Sequence, residues 1–176
     1  MNEGETFMIE RPTTKQLLAA SLIELAGKKS VDKIKDAFNS MTISWGMLGT
    51  LWCMPHKGKN VCAVFVNPAR YTYGFMEKSD YYTVSFFDNK KYQKALGIMG
   101  SKSGRDMDKA KASGLTQKYL EHGVTYEEAE ITFVVRKIYR HELQLGQMPA
   151  DVIEGFYTKG RVPHTMYIGE IIETIR

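Results

Sequence analysis

The run Val61–Val66 holds three valines in six residues, between the polar turn 56–60 and Pro68. It is too short for most helices and rich in β-branched residues, so it predicts a buried strand. Met41–Trp45, Tyr81–Phe87, Ala129–Tyr139 and His164–Ile172 read as further strands. In Tyr81–Phe87, Tyr82, Val84 and Phe86 share one face, as period 2 requires. In Ala129–Tyr139, Ile131, Phe133 and Val135 oppose Thr132, Val134 and Arg136. Helical patterns lie between: Ala69–Lys78, Lys90–Met99 with Tyr92, Leu96 and Met99 on one face, Asp106–Lys111 ended near Gly114, and Ala150–Phe156. Four or five strands with short connections and inserted helices predict a mainly β chain closed, or partly closed, into a barrel.

Ten Tyr, eight Phe and two Trp supply a sizeable core for the one domain that 176 residues fit. The net charge of +4 is compatible with a phosphate-bearing ligand and is weak evidence for nucleic acid, which usually shows as a dense basic patch, so no nucleic-acid partner is expected. No run approaches the 18 apolar residues expected of a membrane-spanning helix. Residues 1–10 lack a basic segment followed by an apolar one, so no secretory signal is expected and a cytoplasmic location is. Cys53 and Cys62 read either as a redox pair flanking a hairpin or, the favoured reading, as two reduced, buried small hydrophobes. The four histidines (His56, His122, His141 and His164) show no ligand spacing, so no metal site is expected.

Asn39–Gly46 concentrates an amide, small hydroxyls and an indole in eight residues. Thr42 and Ser44 share a face of any extended segment. Asn39 sits upstream, where a turn would free its amide. Trp45 points to the opposite face or lies at the strand end beside Gly46. Such a set suits a ligand with a flat apolar part and an anionic part; a half-buried strand with a core Trp is the plainer alternative. In the next strand–helix junction, Pro68 at the first helical position would make Asn67 the N-cap and put Arg70 in the first turn. Helix N-terminal N–H groups plus an arginine make a phosphate site; an ion pair between Arg70 and Glu77 is the alternative. Gly100–Asp106 is a flexible cationic loop rich in donors, with Ser101, Lys102, Ser103 and Arg105. It is no P-loop, because Ser101 separates Gly100 from Lys102 and a helix precedes it.

Gly46–Pro55 reads as a loop whose Leu48, Leu51, Trp52 and Met54 cover a ligand, a partner subunit or the core. Residues 117–126 also read as loop. Thr13 caps a helical pattern with Leu17, Leu18, Leu22 and Leu25, ended by Gly27, and Ser30 caps another with Val31, Ile34 and Phe38.

Asn39–Gly46, Asn67–Tyr73, Asp80–Asp88 and Ala95–Asp106, in this order and spacing, resemble the flavin reductase-like family, which includes the flavoredoxins. The resemblance is dense over residues 39–116 and resumes weakly at Glu127–His141 and His164–Glu170. It implies an FMN-binding split β-barrel with Greek-key-like pairing, normally a homodimer, in which NAD(P)H reduces bound flavin. It would make Ala20–Leu25 an early strand, against the helical pattern there. It assigns Asn39, Thr42, Ser44 and Trp45 to the flavin ring and its polar edge. Arg70 and Thr72 go to the phosphate, Asn67 to the turn that positions them, and Ser101, Lys102 and Ser103 to the flavin surroundings. Arg105 and Asp106 support the loop by an ion pair or touch the flavin, and His141 is a further candidate. No protein nucleophile is needed, so no catalytic residue is expected. Electrons would pass to free flavin, iron or a partner protein; an electron carrier without NAD(P)H activity and a non-catalytic flavin-binding module are the alternatives.

Overall fold

The computed structural model describes residues 19–24, 38–54 and 57–176. Seven strands form one antiparallel sheet: β1 (Ala19–Glu24), β2 (Phe38–Ile43), β3 (Gly46–Leu51), β4 (Lys59–Val66), β5 (Tyr81–Phe86), β8 (Ile131–Glu142) and β9 (Thr165–Ile175). Their spatial order is β2-β1-β5-β8-β9-β4-β3. Near the two ends of this order the chain almost closes on itself, because Phe65 N–H on β4 donates to Trp45 O just beyond β2 (3.2 Å). The result is a mainly β split barrel with inserted helices. Its core gathers Val64, Val66, Tyr82, Val84, Val135 and Tyr167 from four strands. Val64 and Val66, central to the run that most constrains the chain, are wholly buried.

Three helices follow the sequence pattern closely. Helix α1 is Tyr71–Lys78, α2 is Asn89–Ser101 and α4 is Ala150–Phe156, while α3 is the short Lys109–Ser113. Asp88 caps α2 by accepting from the N–H groups of Lys90 and Lys91 (2.9 and 3.2 Å), and Gly114 ends α3 in the left-handed conformation (φ 73°). Leu96 and Met99 of α2 join Ala110, Val124 and Tyr126 in a second core beside the barrel. This core holds the end of α2 against β2.

Several expectations fail, each for a tertiary reason. Gly46–Leu51 is not a loop: it pairs along its length with β4, from Gly46↔Val64 to Leu51↔Lys59. As an exposed edge strand it shows no burial alternation, and so no sequence signal. Residues 117–126 are not a loop either, but the hairpin β6 (Gln117–Leu120) and β7 (Gly123–Tyr126). Gly123 turns it at φ 137°, and all four β7 residues are buried. Thr125 of this hairpin joins Ser85 and Thr132 in a buried ring of three hydroxyls (2.6–2.9 Å), so no polar group there is left unpaired. Ala19–Glu24 pairs with both β2 and β5, which settles that segment as strand. The capping and helical expectations at Thr13, Leu17, Leu18, Leu25, Gly27, Ser30, Val31 and Ile34 lie outside the described residues. Both cysteines are free, but only Cys62 is buried; Cys53 is exposed.

Candidate functional site

β2 is the floor of a groove. On one side α1 begins beside it; on the other, the end of α2 and the following loop fold over it. Two hollows share Met41 and Arg70 along this groove, with cavity volumes of about 130 and 310 Å³.

The first hollow is cationic. Asn39, Arg70, Thr72, Ser101, Lys102, Ser103, Arg105 and Lys109 all line it. Asn39 sits within β2, not in a turn, and its amide is not free: Nδ2 donates to Thr72 Oγ1 at 2.6 Å, with both residues buried. This bond locks β2 to the first turn of α1. Asn67 is not the helix cap; Arg70 occupies that position. Asn67 positions the turn instead: its Oδ1 accepts from Ala69 N–H (2.9 Å), its Nδ2 donates to Val162 O (2.9 Å), and its carbonyl accepts from Arg70 N–H (2.9 Å). Arg70 does not pair with Glu77, which is taken by Arg140.

The expected flexible loop is more ordered than its composition implied. Gly100 and Ser101 close α2, and Lys102 is its C-cap. Ser101 Oγ donates back to Gly97 O (2.7 Å), and Ser103 Oγ accepts from Arg105 N–H (3.2 Å). Arg105 forms no ion pair with Asp106; its guanidinium lies over the Tyr71 ring, 5.0 Å from the centroid. Two glycines let this segment touch the floor. A Cβ on Gly100 would collide with Thr42 Oγ1, and one on Gly104 with Asn39 Oδ1. Close backbone approach needs Gly at both places.

The second hollow is lined by Thr42, Ser44, Trp45, Phe65, Asn67, Phe156 and His164. Ser44 lies past the end of β2, and Trp45 at the link to β3, yet both face this hollow with Thr42. The Trp45 ring meets His164 (4.3 Å between centroids) and the edge of Phe156 (5.4 Å). His164 Nδ1 is 3.1 Å from Tyr157 Oη. Burial, and then the Arg70 charge, lower the His164 pKa and favour neutral imidazole. His141 is not brought here: it is exposed and stacks parallel to Tyr139 on β8.

All ten sequence-predicted residues thus line one groove, Thr72 and Asn39 through buried side chains. Sequence reasoning missed Gly100, Gly104, Lys109, Phe156 and His164. Lys109 lay in a stretch read only as helix, and its neighbour Ala110 carried no mark of burial. Lys109 is 6% exposed; burial, and then Arg70, pull its amine down to about 8. Arg70, Lys102, Arg105 and Lys109 form no ion pair among the described residues. No cluster of His, Cys, Asp or Glu suited to a metal occurs among them. The donor set therefore fits a ligand with an anionic end and a flat apolar end, which is the chemistry of FMN.

No protein-family model and no curated protein matches the sequence. Solved structures do match. An FMN-binding protein from Thermus thermophilus, with bound cyclohexenone, superposes with a TM-score of 0.60 at 17% identity, over 100% of this chain and 78% of that one. The flavoredoxin of Desulfovibrio vulgaris gives 0.61 at 20% identity, over 98% and 76%. The flavin reductase HpaC complexed with NADP+ gives 0.56 at 14%, over 90% and 78%. At such identities the likeness establishes fold: this chain has the split barrel of the flavin reductase-like proteins.

Proposed function

We propose that this protein is a flavin-dependent oxidoreductase that holds FMN along β2 and takes hydride from NAD(P)H. The observation that carries the reading is the gathering of Arg70, Lys102, Arg105 and Lys109, with no carboxylate among the described residues lining that hollow, at one end of a groove whose other end is aromatic. The fold shared with an FMN-binding protein, a flavoredoxin and a NADP+-bound flavin reductase supports it.

In this reading Arg70 and Lys102 hold the phosphate, and the first turn of α1 at Thr72 adds N–H donors and a partial positive charge. Asn67 fixes that turn, and Asn39 fixes the strand beneath it. Ser101 and Ser103 offer hydroxyl oxygens to the ribityl chain. Thr42, Ser44 and Trp45 face the ring, with Trp45 held in place by His164 and Phe156. Bound FMN supplies the hydride-accepting and electron-passing chemistry. The chain's own work is to bind, orient and desolvate, which explains why no nucleophile–base constellation is needed. The homodimer belongs to the same proposal. Met47, Leu48, Trp52 and Met54 are 55–90% exposed on β3 and just beyond it, an apolar surface that a second copy would cover. The free thiols of Cys53 and Cys62 fit a reducing, cytoplasmic setting.

The test is an absorbance spectrum with added FMN, followed by anaerobic titration with NADH and with NADPH. Binding with rapid bleaching of the long-wavelength flavin band is the expected result and identifies the preferred nucleotide. Binding without bleaching would make the protein an electron carrier supplied by another donor. No binding would leave only the fold in common with flavoproteins.

A further inference from the structure

Lys109 stands where the cationic hollow meets a third one, bounded by Phe38, Ser40, Asp108 and Gln117. Its ammonium has three N–H groups. Nζ donates to Ser40 O on β2 and to Met99 O near the end of α2, the latter at 3.1 Å. Two donors are thereby used on backbone carbonyls, and no described side chain pairs with the third. A buried ammonium with no carboxylate is unfavourable, and Arg70 beside it adds repulsion. A dianion entering the hollow offsets both penalties.

We propose that Lys109 is a proton-dependent member of the anion site: its ammonium form joins Arg70 and Lys102 in holding the ligand's phosphate, and loss of its proton loosens that hold. The inference rests on the flavin reading and deepens it. The groups that could mimic such behaviour are few. Around Lys109 stand Arg70 and Tyr71 at the start of α1, and Lys102, Arg105 and Asp108 on the loop. Tyr126 stands on β7; β2 offers only Asn39 and Ser40, and α2 only the Met99 carbonyl. Both arginines stay charged. The Asp108 carboxylate is occupied with Lys111 N–H (3.0 Å). Burial pushes the Tyr126 phenol well above its usual range.

The sign follows from an amine lowered from 10.5 to about 8. Below about 8 the ammonium is in place before the ligand arrives, and affinity is full. Above it, binding must first take up a proton, so affinity falls up to about tenfold per pH unit. The anion-free protein behaves oppositely. Its unfolded chain binds the extra proton between about 8 and 10.5, so stability rises with pH across that window.

The experiment titrates the full chain with FMN and with riboflavin, which lacks the phosphate, between pH 7 and pH 9. A phosphate monoester, with its second pKa about 6, is a dianion throughout. The riboflavin-to-FMN ratio of dissociation constants is expected to fall about tenfold across this range in the unchanged protein. It should stay high and flat in Lys109→Arg, whose charge persists, and low and flat in Lys109→Met. Should Lys109→Met fail to fold, the unchanged protein and Lys109→Arg decide. A ratio constant from pH 7 to 9, or a Lys109→Arg ratio that falls like the unchanged protein's, overturns the proposal while leaving flavin binding intact. Failure of both flavins to bind at pH 7 overturns the flavin reading, and this inference with it.

Discussion

On the flank formed by β8 and β9, Arg140 meets Glu77 at 3.1 Å and Glu142 at 2.8 Å, and Glu170 joins Lys59 (2.7 Å) to Arg136 (2.6 Å). Along the groove over β2, Arg70, Lys102, Arg105 and Lys109 meet no carboxylate among the described residues. The difference is not one of stability, since exposed ion pairs contribute only about 0–1 kcal/mol. It is one of field. Paired charges cancel locally, whereas unpaired cations in a concave site focus positive potential and draw an anion in. One flank uses its acids to knit three strands; the other leaves its cations for a ligand.

The sharpest way to break this contrast is to remove the unpaired charges. Changing both Arg70 and Lys102 to Ala should weaken FMN at least about tenfold, because hydrogen bonds to charged groups contribute about 1.5–3 kcal/mol each. Riboflavin should be little affected. Unchanged FMN affinity in titration would reject the phosphate placement. A smaller effect should follow from moving the loop without touching its charges. Gly104→Ala puts a Cβ against Asn39 Oδ1, whose amide is held by Thr72. Overpacking of this kind costs about 1–3 kcal/mol, and it should appear as lost FMN affinity beyond any change in melting temperature; equal affinity would mean the loop need not touch β2.

The smallest effect is expected on the paired flank. Burial raises the Glu77 pKa, but hydrogen bonds from Tyr167 and Arg140 outweigh it and hold the carboxyl below its usual value. A carboxylate lowered by folding adds stability above its unfolded pKa, and that stability is lost as pH falls through the lowered one. Glu77→Gln should therefore cost about 1 kcal/mol at pH 7 by denaturant unfolding. The gap to the unchanged protein should close in acid, and FMN affinity should not move. A loss of FMN binding in this variant would show that the two flanks are coupled.

The same contrast separates what was legible from what was not. Lys102 and Arg70 were visible because each sits beside a local signal, one in a run of Gly and Ser, the other just after Asn-Pro. Lys109 carried no such signal: its burial arises from Ser40, 69 positions earlier in the chain. His164 was legible only as the start of a strand. His141 was preferred to it, yet pairing along β8 carries His141 to an exposed position. Cys53 was expected inside, but it follows an edge strand exposed among the described residues.

By itself the sequence determined the periodicities. Val61–Val66 and Tyr81–Phe87 had to be strands, Lys90–Met99 had to be an amphipathic helix, and the segment after it had to present Ser and Lys donors. These depend on neighbours within a few residues, where side-chain spacing and capping act. Only the tertiary structure decided that Gly46–Leu51 is a strand, that residues 117–126 form a buried hairpin, and that two glycines seat the loop on β2. Those outcomes rest on backbone pairing and close packing between segments far apart in the chain, which leave no local pattern to read.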